Sequence, residues 1–362
     1  MNSVLDEDVV DTDRLSSLPL DLIRHILSLM DMKYSVQTCV LSSKWKHIWT
    51  SLRHIKLSTS EFEELGQFIR FTRHVIARRD NQLDVSSLEL TFDGTLSQIL
   101  LKVLLNYVVS HSVHQLTIYT SERDRKIPIC MFESQSLKHL TMMNIHEDYC
   151  IVPQYPWDLP NLTTLNLYQI VLSDARSANR GSLDIFSKCI NLKILNLTEC
   201  FMAAVKVFIV SAPRLERVSI KKCQVNKIFI SAPNLTAFDY TGEYPLTLST
   251  IGLRHLDKVD LYLHVPTPHS SFKEEDARRL VKLLQEFQSA KFLNLEACAI
   301  ESLFLYPDIL SQPSPFHNLK HLNIVFQKEE IKFTVPNHVR NYFQQSSPSV
   351  TIATKVLKRI YA

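Results

Sequence analysis

RLSSLPLDLIRHILSLMDMKYSVQTCVLSSKWKHIWTSL, residues 14–52, holds more apolar side chains than a segment of its length can cover by itself. Pro19 suits the first position of a helix, where its missing N–H costs nothing, and Asp21 adds a carboxylate to the positive first turn. Leu22, Ile23, Ile26, Leu27 and Met30 then recur at helical spacing. After a break at Asp31, a second helical run from Lys33 to Leu41 carries Val36, Cys39 and Val40 on one side. Ser42 or Ser43 caps a third run, in which Trp45, Ile48, Trp49 and Leu52 stand at i, i+3, i+4 and i+7 with both indoles on one stripe. The spacing thus predicts three helices. Domains below about 40 residues seldom close a core without disulfides, metal or a partner, and this stretch has no cysteine pair or metal-ligand cluster. Either the rest of the chain or a second protein covers its surplus; the pattern alone leaves both open.

Outward from this stretch, 362 residues with 45% hydrophobic content allow two or three folded domains. Forty Lys and Arg against 37 Asp and Glu leave a formal charge of +3, which gives no nucleic-acid or membrane footprint. Arg70, Arg73, Arg78 and Arg79 interleave with Phe68, Ile69, Val75 and Ile76, as the solvated face of a helix does. Residues 1–13 read as an acidic tail (Asp6, Glu7, Asp8, Asp11, Asp13) without the basic start and apolar core of a signal peptide. The greasiest stretch, Ile99 to Val109, is interrupted by Lys102 and Asn106 and is too short to span a bilayer. Seven cysteines at 39, 130, 150, 189, 200, 223 and 298 occur singly, which suits a reducing compartment, cytoplasm or nucleus.

Residues 53–84 form a linker with a short strand at His54–Leu57 and a capping helix, boxed by Ser60 and Glu63, that carries Phe62, Leu65, Phe68, Ile69, Val75 and Ile76. From Val85 the phrase apolar-x-x-apolar-x-apolar recurs ten times, beginning at Val85, Val113, Leu137, Leu162, Leu192, Leu215, Leu235, Leu256, Ala290 and Leu319. The copies start 20 to 34 residues apart. SAPRL at Ser211 and SAPNL at Ser231 repeat with a period of 20, too short for a helix between strands, so those returns are extended or 3₁₀. Longer spacings make room for helices: one capped by Ser97, and one boxed by Ser271 and Glu274. Strand, return, strand describes a solenoid lined by a curved parallel sheet over residues 85–330. Residues 331–362, with a helix start at Pro336, then Val339, Tyr342 and Phe343, and alternating Val350 and Ile352, cap its end.

Chemistry-bearing residues are sparse. Cys200, Cys223 and Cys298 all lie eight residues beyond the first apolar residue of a copy, the Asn/Cys position of such repeats, where a small buried side chain helps satisfy the turning backbone. Cys39, on the apolar side of the second helix, is expected to be buried and inert. No zinc spacing is present, and His111 and His114 have no third ligand. Glycines at 66, 94, 181, 242 and 252 make no phosphate loop, dinucleotide fingerprint or nucleophile elbow. Neither catalytic residues nor cofactors are expected. Within each strand, positions three, five and seven point to the open side. Position five is mostly small and polar, as a solvated parallel sheet requires. Tyr119, Tyr168, Lys221, Tyr262 and Glu296 at position seven are the target-binding candidates, since exposed tyrosines supply contact area at low entropic cost. Scattered His139, Arg217, Lys221 and Lys258 are too few to hold an inositol phosphate.

Leu15, Leu18-Pro19, Leu22-Ile23, Ile26-Leu27, Val40-Leu41-Ser42, Trp45 and Trp49 together resemble the F-box, in its plant-type form, and the copies that follow resemble leucine-rich repeats. The C-terminal residues resemble the region found after the repeats in many plant F-box proteins. Ser43, where basic residues are frequent, and Leu20, where a polar one is usual, depart from the pattern. The resemblance implies an α/β protein: a three-helix F-box, then an irregular leucine-rich-repeat solenoid. It also implies a non-catalytic substrate-recruiting subunit of a ubiquitin ligase, which docks on a Skp-type adaptor and, through it, on cullin and RING subunits. The implied adaptor contacts are Leu18, Pro19, Leu22, Ile23, Ile26, Leu27, Val40, Leu41, Trp45 and Trp49, some of which must instead hold the helices together. Two other readings stand beside it: a repeat scaffold whose first helices only cap the solenoid, and a small-ligand receptor.

Overall fold

The computed structural model describes residues 14–15, 17–80, 83–92, 98–121, 129–144, 150–152, 156–172, 181–202, 205–263, 273–326 and 334–356. The acidic tail and the expected caps Ser97 and Ser271 lie outside the described residues. The chain divides into two compact units, Met1–Tyr119 and Thr120–Ala362.

The first unit contains α1 (Leu20–Ser28), α2 (Met32–Gln37), β1 (His54–Ser58), α3 (Leu65–Arg78), β2 (Ser87–Phe92), α4 (Gln98–Ser110) and β3 (Gln115–Thr120). Pro19, extended at φ −55°, caps α1 from just outside it. Asp31 caps α2, its carboxylate accepting the Lys33 amide at 2.7 Å. The expected third helix does not form. Residues 41–47 turn without an α-helix, and Ile48–Ser51 winds as a 3₁₀ turn. The amides of Trp45, Ile48 and Leu52 each reach back three residues, to the carbonyls of Ser42, Trp45 and Trp49. This tighter closure still turns Trp45, Ile48, Trp49 and Leu52 inward, so burial preserves the stripe although the α-helix is lost.

Two further expectations are corrected in this unit. Helix α3 begins at Leu65 without a side-chain cap; Ser60 instead pairs with the Ser58 hydroxyl at 2.7 Å. Phe62 precedes the helix and packs on Phe68 and Phe71, with ring centroids 5.6 and 5.2 Å away. Arg79 is not on a solvated face: the backbone turns extended there, and the buried guanidinium donates to Tyr107 Oη at 3.0 Å and to the Leu52 carbonyl. Strand order is β1-β2-β3, with β1 parallel to β2 and His54 opposite Ser87.

The second unit is built from strands that return to the same side. They are β4 (His139–Asn144), β5 (Cys150–Val152), β6 (Thr164–Tyr168), β7 (Ile170–Leu172), β8 (Ser182–Asp184), β9 (Ile194–Thr198), β10 (Val207–Ser211), β11 (Arg217–Lys221) and β12 (Ile228–Ser231). Then come β13 (Ala237–Gly242), β14 (Leu248–Ile251), β15 (Lys258–Leu263), α5 (Glu274–Gln285), β16 (Phe292–Glu296), α6 (Ala297–Leu305), β17 (His321–Phe326), α7 (Asn337–Ser346) and β18 (Thr351–Val356). The main parallel sheet runs β4-β6-β9-β11-β13-β15-β16-β17-β18. The short-period returns are extended, as expected, and pair into a second parallel sheet, β14-β12-β10-β8.

Across the two units, the fourth and sixth residues of all ten repeated phrases fall inside strands and are buried, from Leu88 and Leu90 in β2 to Leu322 and Ile324 in β17. One carbonyl serves two amides at successive strand entries. Lys193 and Ile194 share the Thr163 oxygen, Glu216 and Arg217 that of Lys193, and Thr236 and Ala237 that of Glu216. The period therefore comes from apolar burial and is locked by the backbone. Behind the main sheet, Trp157 stacks between Phe132 (4.4 Å) and Phe186 (5.7 Å), and Phe186 meets Phe208 (5.8 Å). Helix α5 starts after Lys273, whose amide donates to Asp276 at 3.2 Å. Helix α7 starts after Pro336 and buries Val339, Tyr342 and Phe343.

Candidate functional site

Helix α1 has three faces, because successive residues are rotated by about 100°. Ile23 and Leu27 point into the core with no exposed surface. Leu22 (51% exposed), Ile26 (39%) and Leu29 form a second, open apolar face. Asp21, Arg24, His25 and Ser28 form the third, along a cleft shared with Ser51–His54. Val40 (83%) and Leu41 (49%), which follow α2, are also open. Five apolar side chains left in water are costly for a unit this small.

The ten expected adaptor contacts divide accordingly. Pro19, Leu22, Ile26, Val40 and Leu41 are exposed and Leu18 is half-buried, whereas Ile23, Leu27, Trp45 and Trp49 are buried. These last four are buried and hold the helices together, as the expectation allowed for some of the ten. A unit with so little volume needs its two indoles inside. Cys39 is half-buried rather than buried.

In the second unit the polar residues of the repeat's fifth position hydrogen-bond to one another across neighbouring strands. Asn166 donates to Thr141 at 3.0 Å, Asn196 to Asn166 at 2.7 Å, Ser219 to Asp239 at 3.1 Å and Asn323 to Asn294 at 2.7 Å. Asn294 donates to Asp260. These groups mostly satisfy the sheet itself. At position seven, Lys221 is exposed and pairs with Asp239 at 3.3 Å. Tyr168 and Tyr262 are half-buried, and Tyr119, in the first unit, is half-buried as well. Burial, then the nearby Asp260, Asp239 and Glu296 carboxylates, pushes the Tyr262 hydroxyl up to about 12. Glu296 is buried: β16 runs straight into α6, so Glu296 stands at the N-cap of that helix rather than at the end of an open strand.

Turn residues carry a feature that the apolar pattern conceals. Gln169, Glu199 and Lys222 occupy the eighth position of three consecutive copies and share a left-handed backbone, φ 51–53°. Their side chains stack in a row: Gln169 donates to Glu199 at 2.9 Å, and Lys222 lies 3.5 Å from the other Glu199 oxygen. One residue on, Cys200 Sγ donates to the Leu167 carbonyl at 3.4 Å, and Cys298 Sγ to that of Leu263. Beside this row lies a cavity of about 670 Å³, lined by Phe201, Cys223, Tyr240, Tyr244, Lys222 and Arg279 among others. Among the described residues no group of three or more His, Cys, Asp or Glu is placed to hold a metal. No helix among the described residues is long and apolar enough to cross a membrane.

Comparison with known families settles the class. The family model for the leucine-rich-repeat domain of the At1g61320/AtMIF1 type matches residues 76–351, and the F-box domain model matches residues 15–57. The chain is an F-box and leucine-rich-repeat protein. Similar proteins from Arabidopsis thaliana include F-box/LRR-repeat protein At3g59200, 25% identical over 383 residues, 98% of this chain and 70% of that protein. F-box protein At4g09920 is 25% identical over 293 residues, 78% of this chain and 87% of the relative. FBD-associated F-box protein At1g66310 is 26% identical over 335 residues, covering 87% and 72%. The exposed apolar residues of this F-box protein therefore lie within its F-box, and the aligned polar row within its repeats.

Proposed function

We propose that this chain is the non-catalytic, substrate-recruiting subunit of a Skp–cullin–F-box ubiquitin ligase, working in the cytoplasm or nucleus. The observation that carries the reading is the F-box whose core is closed by Ile23, Leu27, Trp45 and Trp49 while Leu22, Ile26, Val40 and Leu41 stay open. An adaptor that covers those four side chains gains their burial. The repeats then hold a target near a ubiquitin-loaded enzyme, and the rate gain comes from effective concentration rather than from a reacting residue of this chain. Among the described residues the free cysteines, Cys39, Cys189, Cys200, Cys223 and Cys298, support a reducing compartment.

Co-purification with a Skp-type adaptor tests the reading. The native chain is expected to form a stoichiometric complex that a Val40→Asp, Leu41→Asp variant loses while keeping its circular dichroism. A native chain that stays alone and monodisperse would make the exposed residues a cap surface and move the scaffold reading to first place. One observation favours a small-ligand receptor as second reading: the 670 Å³ cavity is of ligand size (about 300–1,000 Å³) and mixes aromatic with charged side chains.

A further inference from the structure

Cys200 and Cys223 occupy the same position in consecutive repeats, and the strand register brings them face to face. Thr198 is opposite Lys221 in β9 and β11, and Phe201 bridges to Gln224 just beyond, so the two cysteines are direct neighbours. The Cys200 amide donates to Cys223 Sγ at 3.4 Å. Neighbouring parallel strands run about 4.8 Å apart, within the Cα separation of roughly 4.4–6.8 Å that a disulfide spans. Cys223 is half-buried and lines the 670 Å³ cavity, which opens a path for a small reagent to this pair; Cys200, its neighbour in the register, is buried.

We propose that Cys200 and Cys223 are an oxidation site, a thiol pair that a peroxide entering through the cavity converts to a disulfide joining two successive repeats. The proton arrangement supports this geometry. The neighbouring Cys223 thiol lowers the Cys200 thiol against the effect of burial, and Cys200 with burial raises that of Cys223, so Cys200 is the more acidic of the two. The other described repeat cysteines are poorer nucleophiles. Burial pushes Cys189 up to about 12, and burial with the Glu296 and Glu301 carboxylates pushes Cys298 up further. In the first step the Cys200 thiolate attacks hydrogen peroxide: an S–O bond forms, the O–O bond breaks, and the departing hydroxide takes up the thiol proton as water. Cys223 sulfur then attacks the sulfenic sulfur: the S–S bond forms, the S–O bond breaks, and the second hydroxide leaves as water with the Cys223 proton. Two thiols lose two electrons and two protons, and one peroxide becomes two waters. In the reduced state the same thiols serve the backbone, Cys200 toward the Leu167 carbonyl and Cys223 toward that of Lys221.

The test treats the reduced, folded full-length chain with hydrogen peroxide, alkylates remaining thiols after unfolding, and maps peptides without reductant. The expected result is a 200–223 cross-linked peptide that forms roughly tenfold faster than any modification of Cys189 or Cys298, and that a dithiol reverses. A Cys223→Ser variant should lose the cross-link and instead yield a Cys200 sulfenic acid trapped by dimedone. Cys189→Ser, the control for any folding effect of serine, should cross-link as the native chain does. The proposal is overturned if both thiols remain fully alkylatable, if each is over-oxidised separately, or if either pairs with another cysteine.

Discussion

Truncating Leu22 and Ile26 together to alanine should weaken adaptor binding far more than it weakens the fold. Full burial of a Leu or Ile side chain is worth about 1.5–3 kcal/mol. With 51% and 39% of their surfaces open, roughly half of that remains to be gained when a partner covers each one, or ~1 kcal/mol per residue and ~2 kcal/mol for the pair. Two kcal/mol corresponds to about 30-fold in Kd. Ile23, the next residue on the same helix, has no exposed surface, so Ile23→Ala should cost roughly 2–5 kcal/mol of stability through transfer and cavity terms. Urea denaturation would measure stability, and isothermal titration with a purified Skp-type adaptor would measure Kd. The expected outcome is a double variant whose urea midpoint stays near native but whose Kd rises about 30-fold, beside an Ile23→Ala variant with the reverse emphasis. An unchanged Kd in the folded double variant, with the native chain binding normally, would refute the assignment of the open face of α1. Trp45 is unsuited to such a test, because its buried indole belongs to the core and its loss confounds folding with docking.

Trp157→Ala should lower the stability of the second unit by about 3–5 kcal/mol, since the indole is fully buried between Phe132 and Phe186; a urea midpoint within error of native would count against the aromatic stack as a structural spine. Asp31 yields a pH prediction. Burial, the largest influence, holds its carboxyl above the ordinary carboxylate value of 3.8 despite the hydrogen bond from the Lys33 amide. Between 3.8 and that raised value the native state binds more protons than the unfolded chain, so this group's contribution falls as pH rises and its cost is fully present above the folded pKa. Asp31→Asn, which keeps the capping oxygen, should therefore be at least as stable as the native chain at pH 7, with any advantage vanishing below pH 3.8. Urea unfolding at both pH values checks this, and a loss of more than about 1 kcal/mol at pH 7 would show that the cap needs its charge.

Much of the architecture is legible without coordinates. A six-residue phrase with apolar residues at one, four and six can be satisfied by a strand only if both inward positions are buried, and ten such phrases require ten strands stacked on a shared core. Leu88 through Ile324 obey this without exception among the described residues. The N-terminal segment is legible as a helical module with too much apolar surface for its size, although its spacing alone leaves open what covers that surface. Where local signals compete with burial they mislead. Ser60 and Glu63 have the residues of a capping box, yet the helix waits until Leu65, because Phe62 packs on Phe68 and Phe71 from outside it.

What the sequence by itself determined is the class: helical module, parallel repeat, and short-period returns without helices. Only the tertiary structure decided which side of each apolar stripe meets water. Helical periodicity puts Leu22, Ile23, Ile26 and Leu27 together, but the angle at which α1 is set decides that Ile23 and Leu27 close the core while Leu22 and Ile26 stay exposed. The same holds for Trp45 and Trp49, which spacing puts on one stripe and a 3₁₀ closure turns inward, and for Glu296, buried where a strand runs directly into a helix. Register likewise brings Cys200 beside Cys223, 23 positions apart in the chain. Periodicity records which residues share a face; the free energy of burial, summed over neighbours distant in sequence, selects which face is covered.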